Sequence, residues 1–453
     1  TMTFGKVPLI TEVLDYNSPN IPRDEVSVIR DFIMKELTEA AAILPEKYAG
    51  GYPNEKGRIT KYACLSLKAR AALYFGDYAL AESTAKEVMD KGGFSLFKIS
   101  SLSDAQKKEA EEMSLYIDFA EKGIDKDEFV KGMFNYEALW HTENANPDNP
   151  EYIMTRQYAA SSWDYQDMTR YTSMRPNQLG GWSSVTPTQN LVDAYWGVDG
   201  HSVPQLPTPE ERAKAYNQIK ADLDAYQKPE GEAKFIAFCQ EKIKNGTLKD
   251  YKYIQEFRNR DSRMYVSILM PFKSWYESNY GDKFVYEWIK NGNNESKTGF
   301  NFRKMLSLEN DANGDGQATG DYPCIRYAEI LLIYAEAHTQ TTGYDAATEA
   351  ALNQLRDRCG MPDVPSGLSK EEGLKLIQNE RRIELAGEGF RGDDMTRYSD
   401  DYWKEHMNNV PIMTPDGDTE LTMKWSSRMR LKPIPQTAID LNPLLAGDQN
   451  PGY

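Results

Sequence analysis

The sequence predicts a mainly α-helical protein in which paired helices support a loop-rich region with few short strands. Apolar residues recur at helical spacing in the first hundred residues and again after residue 324. The chain between these parts is rich in Pro, Gly, Asn, Ser and aromatic residues, and its periodicity is weak. We therefore predict a helical part at 1–100, a variable loop-rich part at 101–323 and a second helical part with closing loops at 324–453.

The first helical part contains three predicted helices. Residues 22–44, introduced by Pro22, carry apolar residues on one face. Thr60 is a suitable N-cap for a helix at 61–74, the dipeptide at 76–77 breaks it, and 78–91 resumes the helical pattern. A helix, a Gly-Asp turn and a second helix with alanines on the facing sides are typical of tetratricopeptide-like pairs.

The same scheme recurs near the other end of the chain, at 325–341 and 346–359. The long separation of the two pairs predicts a split helical array. Between them we predict a short helix at 191–196 and a longer helix at 214–243, with loops before and after. The segment from residue 395 onward is predicted to be irregular.

Charged residues recur at matching spacing on two otherwise apolar helical segments. Buried charges must be paired to be tolerated, so this pattern predicts an ionic seam between the two segments. The two sets are Arg326, Glu329 and Glu336, and Arg381, Glu384, Glu388 and Arg391.

Charge and composition exclude several classes of protein. The net charge of −16 would repel phosphate backbones, so nucleic acid is not an expected partner. The four cysteines are too few and too widely spaced for a disulfide scaffold or a zinc site, and we expect Cys64 and Cys324 to be buried thiols on helices. The four histidines are isolated, and no nucleophile or metalloprotease motif is present.

Six strings follow one another along the chain: Gly57–Lys61 with Ala69–Asp77, Thr188–Tyr195 with Asp199-Gly200, Asn259–Arg263, Ile325–Ala337, Glu380–Arg391, and Met429–Pro435 with Asn442-Pro443 and Asn450–Tyr453. In this order they resemble signature segments of the SusD/RagB family of nutrient-binding outer-membrane lipoproteins of Bacteroidota. The resemblance runs nearly end to end, with residues 24–453 broadly one unit. Asn259-Arg-Asp-Ser-Arg263 departs from the family pattern, since Ser262 replaces a common Pro.

The resemblance implies a SusD-like fold and a non-catalytic, cell-surface protein that binds an oligo- or polysaccharide. It also implies delivery of that glycan to a SusC-like TonB-dependent transporter, and attachment to the external face of the outer membrane by an N-terminal lipid anchor. The anchor is not present in this chain. The string Phe4-Gly-Lys-Val-Pro8 resembles a motif that follows several helices in the family, so we expect a chain shortened at its N-terminus.

Sugar binding requires flat aromatic faces against the C–H faces of pyranose rings, and amide or charged groups for the hydroxyls. Such residues are densest in the loop-rich part, although a loop tryptophan can also fill a local core. We predict ligand contacts from Trp163, Asp164, Tyr165, Gln166, Arg170, Asn177, Trp182, Trp275, Tyr276 and Tyr280.

Residues 311–321 imitate an EF-hand calcium loop. The bidentate Glu of that pattern is replaced by Tyr322, and an acidic residue stands one position earlier. A solvated turn and a weak calcium site both remain open. The candidate ligands are Asp311, Asn313, Asp315, Gln317 and Asp321.

Two other functions remain as alternatives. A helical-repeat scaffold that binds only protein would use its aromatic residues structurally. A glycoside hydrolase of helical architecture would need two carboxylates at a set separation, and the sequence does not reveal that separation. We expect a binding protein rather than an enzyme.

Overall fold

The computed structural model describes residues 1–15, 18–48, 55–141, 143–158, 176–276, 284–306 and 320–453. Over these ranges the fold is mainly helical with few short strands, which confirms the predicted fold class. Among the described helices, none has the length and apolar character needed to cross a membrane.

The helices run from residue 26 to residue 441. They are α1 (Val26–Ile43), α2 (Lys61–Tyr74), α3 (Tyr78–Lys91), α4 (Asp104–Glu112), α5 (Phe119–Lys122), α6 (Lys126–Ala138), α7 (Gln189–Ala194), α8 (Pro209–Ala225), α9 (Lys234–Lys244), α10 (Lys252–Gln255), α11 (Ser262–Ser267), α12 (Tyr327–Thr341), α13 (Ala346–Arg358), α14 (Lys370–Glu384), α15 (Arg391–Arg397), α16 (Asp400–Met407) and α17 (Gln436–Leu441). Short 3₁₀ turns lie at Glu55–Gly57, Met113–Leu115, Asn177–Leu179, Leu248–Asp250, Ser427–Arg430 and Pro443–Leu445.

The described strands form four antiparallel ladders of two strands each. The strands are β1 (Tyr152–Arg156), β2 (Ile268–Leu269), β3 (Ser274–Trp275), β4 (Phe284–Val285), β5 (Asn301–Phe302), β6 (Tyr322–Arg326), β7 (Pro411–Met413) and β8 (Thr419–Thr422). β1 pairs with β6, β2 with β5, β3 with β4 and β7 with β8. Because β6 leads directly into α12, its pairing with β1 positions the start of that helix.

The first helix pair forms as predicted. The Thr60 side chain accepts a hydrogen bond from the Ala63 amide at 3.2 Å, and the Asp77 side chain caps α3 in the same way. These caps satisfy backbone N–H groups that have no partner inside the helix. Small side chains let α2 and α3 approach closely. The fully buried alanines on these two helices are Ala69, Ala72, Ala81 and Ala85.

The second pair, α12 and α13, packs directly on the first. α12 contacts α2, α3, α13 and α14, so segments that are far apart in sequence form one helical frame. α12 is apolar on nearly every side because it lies at the centre of this frame. The prediction of a buried central helix is confirmed.

Several predicted boundaries are corrected. The central helix begins at Tyr327 rather than Ile325, because residues 322–326 pair with β1 as a strand. Cys324 therefore lies half-buried on β6 and not on a helix. The helix predicted at 214–243 is two helices, α8 and α9, separated by a stretch containing Pro229 and Gly231, which disfavour a continuous helix. Beyond residue 395, α16 forms where irregular structure was expected.

Two large hydrophobic clusters differ in composition. The cluster of the frame consists mostly of alanine and aliphatic side chains from α2, α3, α12 and α13. The other cluster lies under the loop-rich part and is dominated by aromatic rings. Its Tyr253 ring, for example, packs edge-on against Tyr216 with the centroids 5.1 Å apart. Much of the aromatic content of the chain is therefore core material.

The predicted ionic seam is present. The Arg326 guanidinium lies 2.7 Å from a carboxylate oxygen of Glu384 and 2.8 Å from one of Glu388. Burial alone would raise the pKa of Glu384, but Arg358, Arg326 and the other neighbouring cations hold it well below its usual range. The carboxylate is thus ionised and paired in the interior.

The seam extends further than the sequence suggested and differs in two members. Glu336 pairs with Arg397 on α15, and the Arg391 guanidinium donates to the Tyr402 hydroxyl at 2.8 Å instead of joining the seam. Partners from other parts of the chain complete the network because folding brings them to α14. They are Glu151, Arg263, Lys304 and Arg358, and Glu380 of α14 itself joins the network through Arg263.

Candidate ligand-binding site

Most of the predicted sugar-contacting residues lie outside the described part of the chain. These are Trp163, Asp164, Tyr165, Gln166, Arg170 and Tyr280, together with the side chain of Asn177. Their contacts with a ligand stay a prediction.

The side chains of Trp275 and Tyr276, which were predicted to contact the ligand, are not exposed at the surface. Trp275 is 1% exposed, because the β3–β4 pairing turns its ring inward. Its ring lies edge-on to Phe284, and the Arg303 guanidinium lies 5.0 Å from the ring centroid. Tyr276 is half-buried, and its hydroxyl donates to Glu112. The buried ring of Trp275 presents no face to a sugar.

Trp182 is exposed, as a ligand-stacking residue must be. Half of it, 51%, is accessible to solvent. The turn before it is anchored where the side-chain oxygen of Gln178 accepts a hydrogen bond from the Glu287 amide at 2.9 Å. Trp182 therefore offers an open aromatic face on a segment that is tied to the loop-rich core.

A pocket of about 620 Å³ begins three residues after Trp182. Segment 185–191, the chain from the end of α14 into α15, and α16 form its walls. We call it the larger pocket, and its volume is within the range of small-molecule sites, roughly 300–1,000 Å³. Its ring-bearing residues are Phe302, Tyr322, Phe390 and His406, and its polar residues include Asn190, Arg381, Arg382, Arg391 and Asp394.

Two guanidinium groups give the larger pocket a positive charge. Arg382 donates to the backbone oxygen of Asn190 at 2.9 Å and to its side-chain oxygen at 2.6 Å. Arg391 donates to Tyr402. Within the described ranges neither guanidinium lies within 4.0 Å of a carboxylate oxygen. Burial, with Arg391 nearby, lowers the pKa of Arg382 to about 10, which still leaves it charged at neutral pH.

His406 adds a neutral ring to the same pocket. Burial, reinforced by Arg382 and Arg391, lowers its pKa to about 4. The ring packs against Tyr402 with the centroids 4.2 Å apart. At neutral pH the pocket thus combines uncharged ring faces with cationic and amide donors.

Asp321 lies at the described end of the calcium-like segment. Its carboxylate accepts hydrogen bonds from the Tyr158 amide at 3.2 Å and the Thr155 hydroxyl at 3.5 Å. Burial raises its pKa to about 6. No cluster of three or more His, Cys, Asp or Glu residues suited to a metal occurs in the part of the chain that the structure describes. Calcium binding stays a prediction, since Asp311, Asn313, Asp315 and Gln317 lie outside that part.

Sequence analysis did not predict the polar and aromatic residues of the larger pocket. Asn190 lies in one family-like string, while Arg382, Phe390 and Arg391 lie in or beside the charged string 380–391. The available signal was the exceptional charge and glycine content of that string. We interpreted it only as structural, because nothing in the sequence shows that it borders a cavity.

Comparison with known proteins agrees with the resemblance. SusD-like protein P2 of Formosa agariphila is 29% identical over 148 residues, which are 31% of this chain and 28% of that protein. This match spans less than a third of the relative. A SusD-like protein from Bacteroides fragilis has the same fold, with a TM-score of 0.69, 24% identity and coverage of 100% of this chain and 76% of its own.

A second solved structure, a SusD-like carbohydrate binding protein from Bacteroides fragilis, covers 98% of this chain and 76% of its own. Its TM-score is 0.65 at 21% identity. The model of the SusD family matches residues 150–453, which is more than half of the sequence. This chain therefore belongs to the SusD family.

Proposed function

We propose that this protein captures an oligo- or polysaccharide and delivers it to a SusC-like TonB-dependent transporter. Membership of the SusD family carries the proposal. A fold shared with a SusD-like carbohydrate binding protein supports it. So do the exposed ring of Trp182 and the larger pocket, whose lining begins three residues further along the chain at Val185.

The chemistry of this surface suits a glycan. A pyranose C–H face packs favourably on an aromatic ring, and Trp182 has such a ring free. The guanidinium of Arg391 and the amide of Asn190 are suited to hydroxyl or carboxylate oxygens of the sugar. We expect modest affinity, because ordering the ligand and its side chains offsets much of the contact energy.

The proposal also includes attachment to the external face of the outer membrane and contact with the transporter. Both rest on the family resemblance. The helical frame has exposed apolar side chains suited to a protein partner: Ile43 on α1 is 84% exposed, and Leu67 on α2 is also exposed. If this surface contacts the transporter, Ile43→Glu abolishes co-purification of the two proteins while glycan binding persists.

Calorimetry and affinity gels with a panel of plant, algal and host polysaccharides test glycan binding. We expect wild-type protein to be retained by at least one polysaccharide. Trp182→Ala and Arg391→Gln should weaken that retention, because they remove the exposed ring and a cation that pairs with no carboxylate among the described residues. Tyr453→Ala is the matched control, since Tyr453 is an exposed ring at the far end of the chain.

Three results would contradict parts of the proposal. No retention by any polysaccharide would contradict glycan binding and favour a protein-binding scaffold. Equal retention of all variants would place the binding surface elsewhere. Release of reducing sugar at high protein concentration would show a hydrolase, contrary to the non-catalytic role proposed.

Calcium is the metal that residues 311–321 predict. We propose weak binding there, measured by calorimetry with calcium chloride. The heat should disappear in Asp315→Asn, while Asp418→Asn, an exposed acid elsewhere, should bind as wild type does. Absence of heat in the wild type would identify the segment as a solvated turn.

A further inference from the structure

In the described part of the chain, two arginines of the larger pocket form no ion pair. Arg382 lies in the last turn of α14, and Arg391 begins α15. Both side chains line the pocket, and both residues are only partly buried. Neither guanidinium lies within 4.0 Å of a carboxylate oxygen of a described residue. Two cations without an acidic partner therefore share one cavity.

Each guanidinium also keeps hydrogen-bond donors that no described residue accepts. Arg382 donates to Asn190 through Nη2, and Arg391 donates to the Tyr402 hydroxyl through Nη1. A guanidinium has donors on every nitrogen. The other nitrogens, Nε and Nη1 of Arg382 and Nε and Nη2 of Arg391, are not among the buried polar atoms that lack a partner in the described ranges. They are therefore accessible to solvent, and a ligand in the pocket can reach them.

A third arginine shows how the fold satisfies a guanidinium whose role is structural. Arg260 is fully buried and also has no carboxylate partner in the described ranges. Its N–H groups donate to several backbone oxygens, among them those of Val192 at 2.7 Å and Tyr195 at 2.9 Å. Buried donors are normally satisfied in this way. Arg391 has one described acceptor, and Arg382 has the two oxygens of a single residue, so structural pairing leaves donors of both free for a ligand.

The acidic residue of the pocket lining does not neutralise these two cations. Asp394 binds Arg381 at 2.8 Å and Arg397 at 3.1 Å. The His406 ring is neutral above about pH 4, because burial and the two guanidiniums lower its pKa to about 4. The pocket is therefore positive in a chain whose net charge is −16, and its charge favours an anion.

The remaining walls select the kind of anion. They are largely apolar and include Leu191, Phe390, Met407 and Met423, and the volume is about 620 Å³. A small inorganic ion would leave these walls without contact, and a doubly charged phosphate would cost more to desolvate against them. A larger ligand with a singly charged oxyanion suits both parts of the pocket, because the planar guanidinium fork binds paired anionic oxygens.

We propose that the guanidiniums of Arg382 and Arg391 bind a carboxylate or sulfate ester group of an anionic ligand. Their free donors bond to the oxygens of that group, and the body of the ligand packs on Phe390 and the two methionines. The inference goes beyond glycan capture because it assigns a charge to the ligand. It rests on the proposed function only where a sugar carries the charge, and a free organic acid is the other source.

Paired probes that differ in charge test this proposal. They are polygalacturonate and its methyl ester, a sulfated galactan before and after desulfation, and benzoate and benzamide. Affinity gels measure the polymers, and calorimetry measures the two small molecules. Wild-type protein should bind at least one anion roughly tenfold more tightly than its neutral counterpart, as a charge-assisted hydrogen bond predicts. General attraction would not give this preference, because the chain as a whole is negative.

Substitutions at the two arginines locate the preference. Arg382→Gln and Arg391→Gln should each remove most of it, whereas Arg391→Lys should retain part of it, because the charge remains while the planar fork is lost. Arg428→Gln is the matched control, since Arg428 is exposed and lies outside the pocket lining. It removes the same charge and should bind as wild type does. Thermal melts of every variant show whether a loss of binding reflects unfolding.

The outcomes separate this inference from glycan capture. A preference within one polymer pair identifies a carboxylate or a sulfate ester, and a preference for benzoate alone identifies a free acid. Equal binding of charged and neutral polymers, or binding of no probe, overturns the inference, while retention by a neutral polysaccharide still supports glycan capture. Benzoate binding that depends on Arg382 and Arg391, without retention by any polymer, supports the inference and contradicts glycan capture. A charge preference that persists in both Gln variants, or that Arg428→Gln removes equally, also overturns it.

Discussion

Buried polar groups are paired in the helical frame but not beside a pocket of about 320 Å³ between α7, α8 and β7, which is referred to as the smaller pocket. In the frame, the carboxylate of Glu384 binds Arg263, Arg326 and Arg358, and its residue is 0% exposed. Beside the smaller pocket, the Tyr253 hydroxyl and one Glu256 oxygen have no partner among the described residues. Paired groups of this kind hold a fold together, whereas an unpaired buried group costs free energy of folding.

The largest expected effect tests the frame side of this comparison. Glu384→Gln should lower the free energy of unfolding by about 3–5 kcal/mol, because three guanidiniums lose their shared anion in the interior. Urea unfolding followed by circular dichroism measures it.

Asp90→Asn is the matched control for that experiment. Asp90 pairs with Lys86 on the exposed face of α3 at 2.9 Å, and a surface pair contributes only about 0–1 kcal/mol. If Glu384→Gln were as mild as Asp90→Asn, the seam would contribute little to stability, and the contrast between the two regions would fail.

The next largest effect is expected at Glu256, beside the smaller pocket, where the free energy of unfolding should depend on pH. Burial raises the pKa of Glu256 to about 7, above its value of about 4.3 in the unfolded chain. The folded state therefore holds its proton more tightly, so this contribution is fully present below about pH 4 and is lost as the pH rises through 7.

The measurement compares wild-type protein with Glu256→Gln from pH 4.5 to pH 8. Wild type should lose up to roughly 3 kcal/mol relative to the variant over this range. Parallel curves for the two proteins would show that Glu256 ionises normally, and would remove one difference between pocket and frame.

The smallest effect comes from two matched tyrosines. The Tyr136 hydroxyl donates to the backbone oxygen of Glu384 at 2.6 Å, so Tyr136→Phe should lower stability by about 1 kcal/mol. Tyr253→Phe removes a hydroxyl that has no partner in the described part of the chain and should be neutral or slightly stabilising. Thermal melts of both variants measure the difference. A larger loss for Tyr253→Phe than for Tyr136→Phe would reverse the comparison.

The helical frame could be predicted from sequence because its signals are local. Thr60, Asp77 and the buried alanines specify a helix pair through spacing and capping, and both helices have the predicted limits. The seam was predictable in part, since charges recur on two apolar segments, although Arg326 lies at the end of β6 and Glu388 follows the end of α14. Ile325 lies on a strand and not on the predicted helix, because it pairs with β1. That partner is far away in sequence, so no local pattern predicts the pairing.

The candidate sites were much less predictable. Trp182 and Trp275 look alike in sequence, each in loop-rich surroundings, yet one is half exposed and the other is in the core. The β3–β4 pairing makes this difference. Tyr253 and Glu256 carried no functional signal at all, because their significance depends on a cavity formed by segments from α7, α8 and β7.

The sequence by itself determined the family, the mainly helical fold, the paired helices and the buried charged helix. Each depends on residue types at short, regular spacing, and such spacing directly favours one type of secondary structure. Among the residues that the structure describes, only the tertiary structure decided which aromatic rings are exposed, which guanidiniums lack a carboxylate and which buried polar atoms lack a partner. Those properties depend on contacts between distant segments, because burial and pairing arise only when the chain has folded.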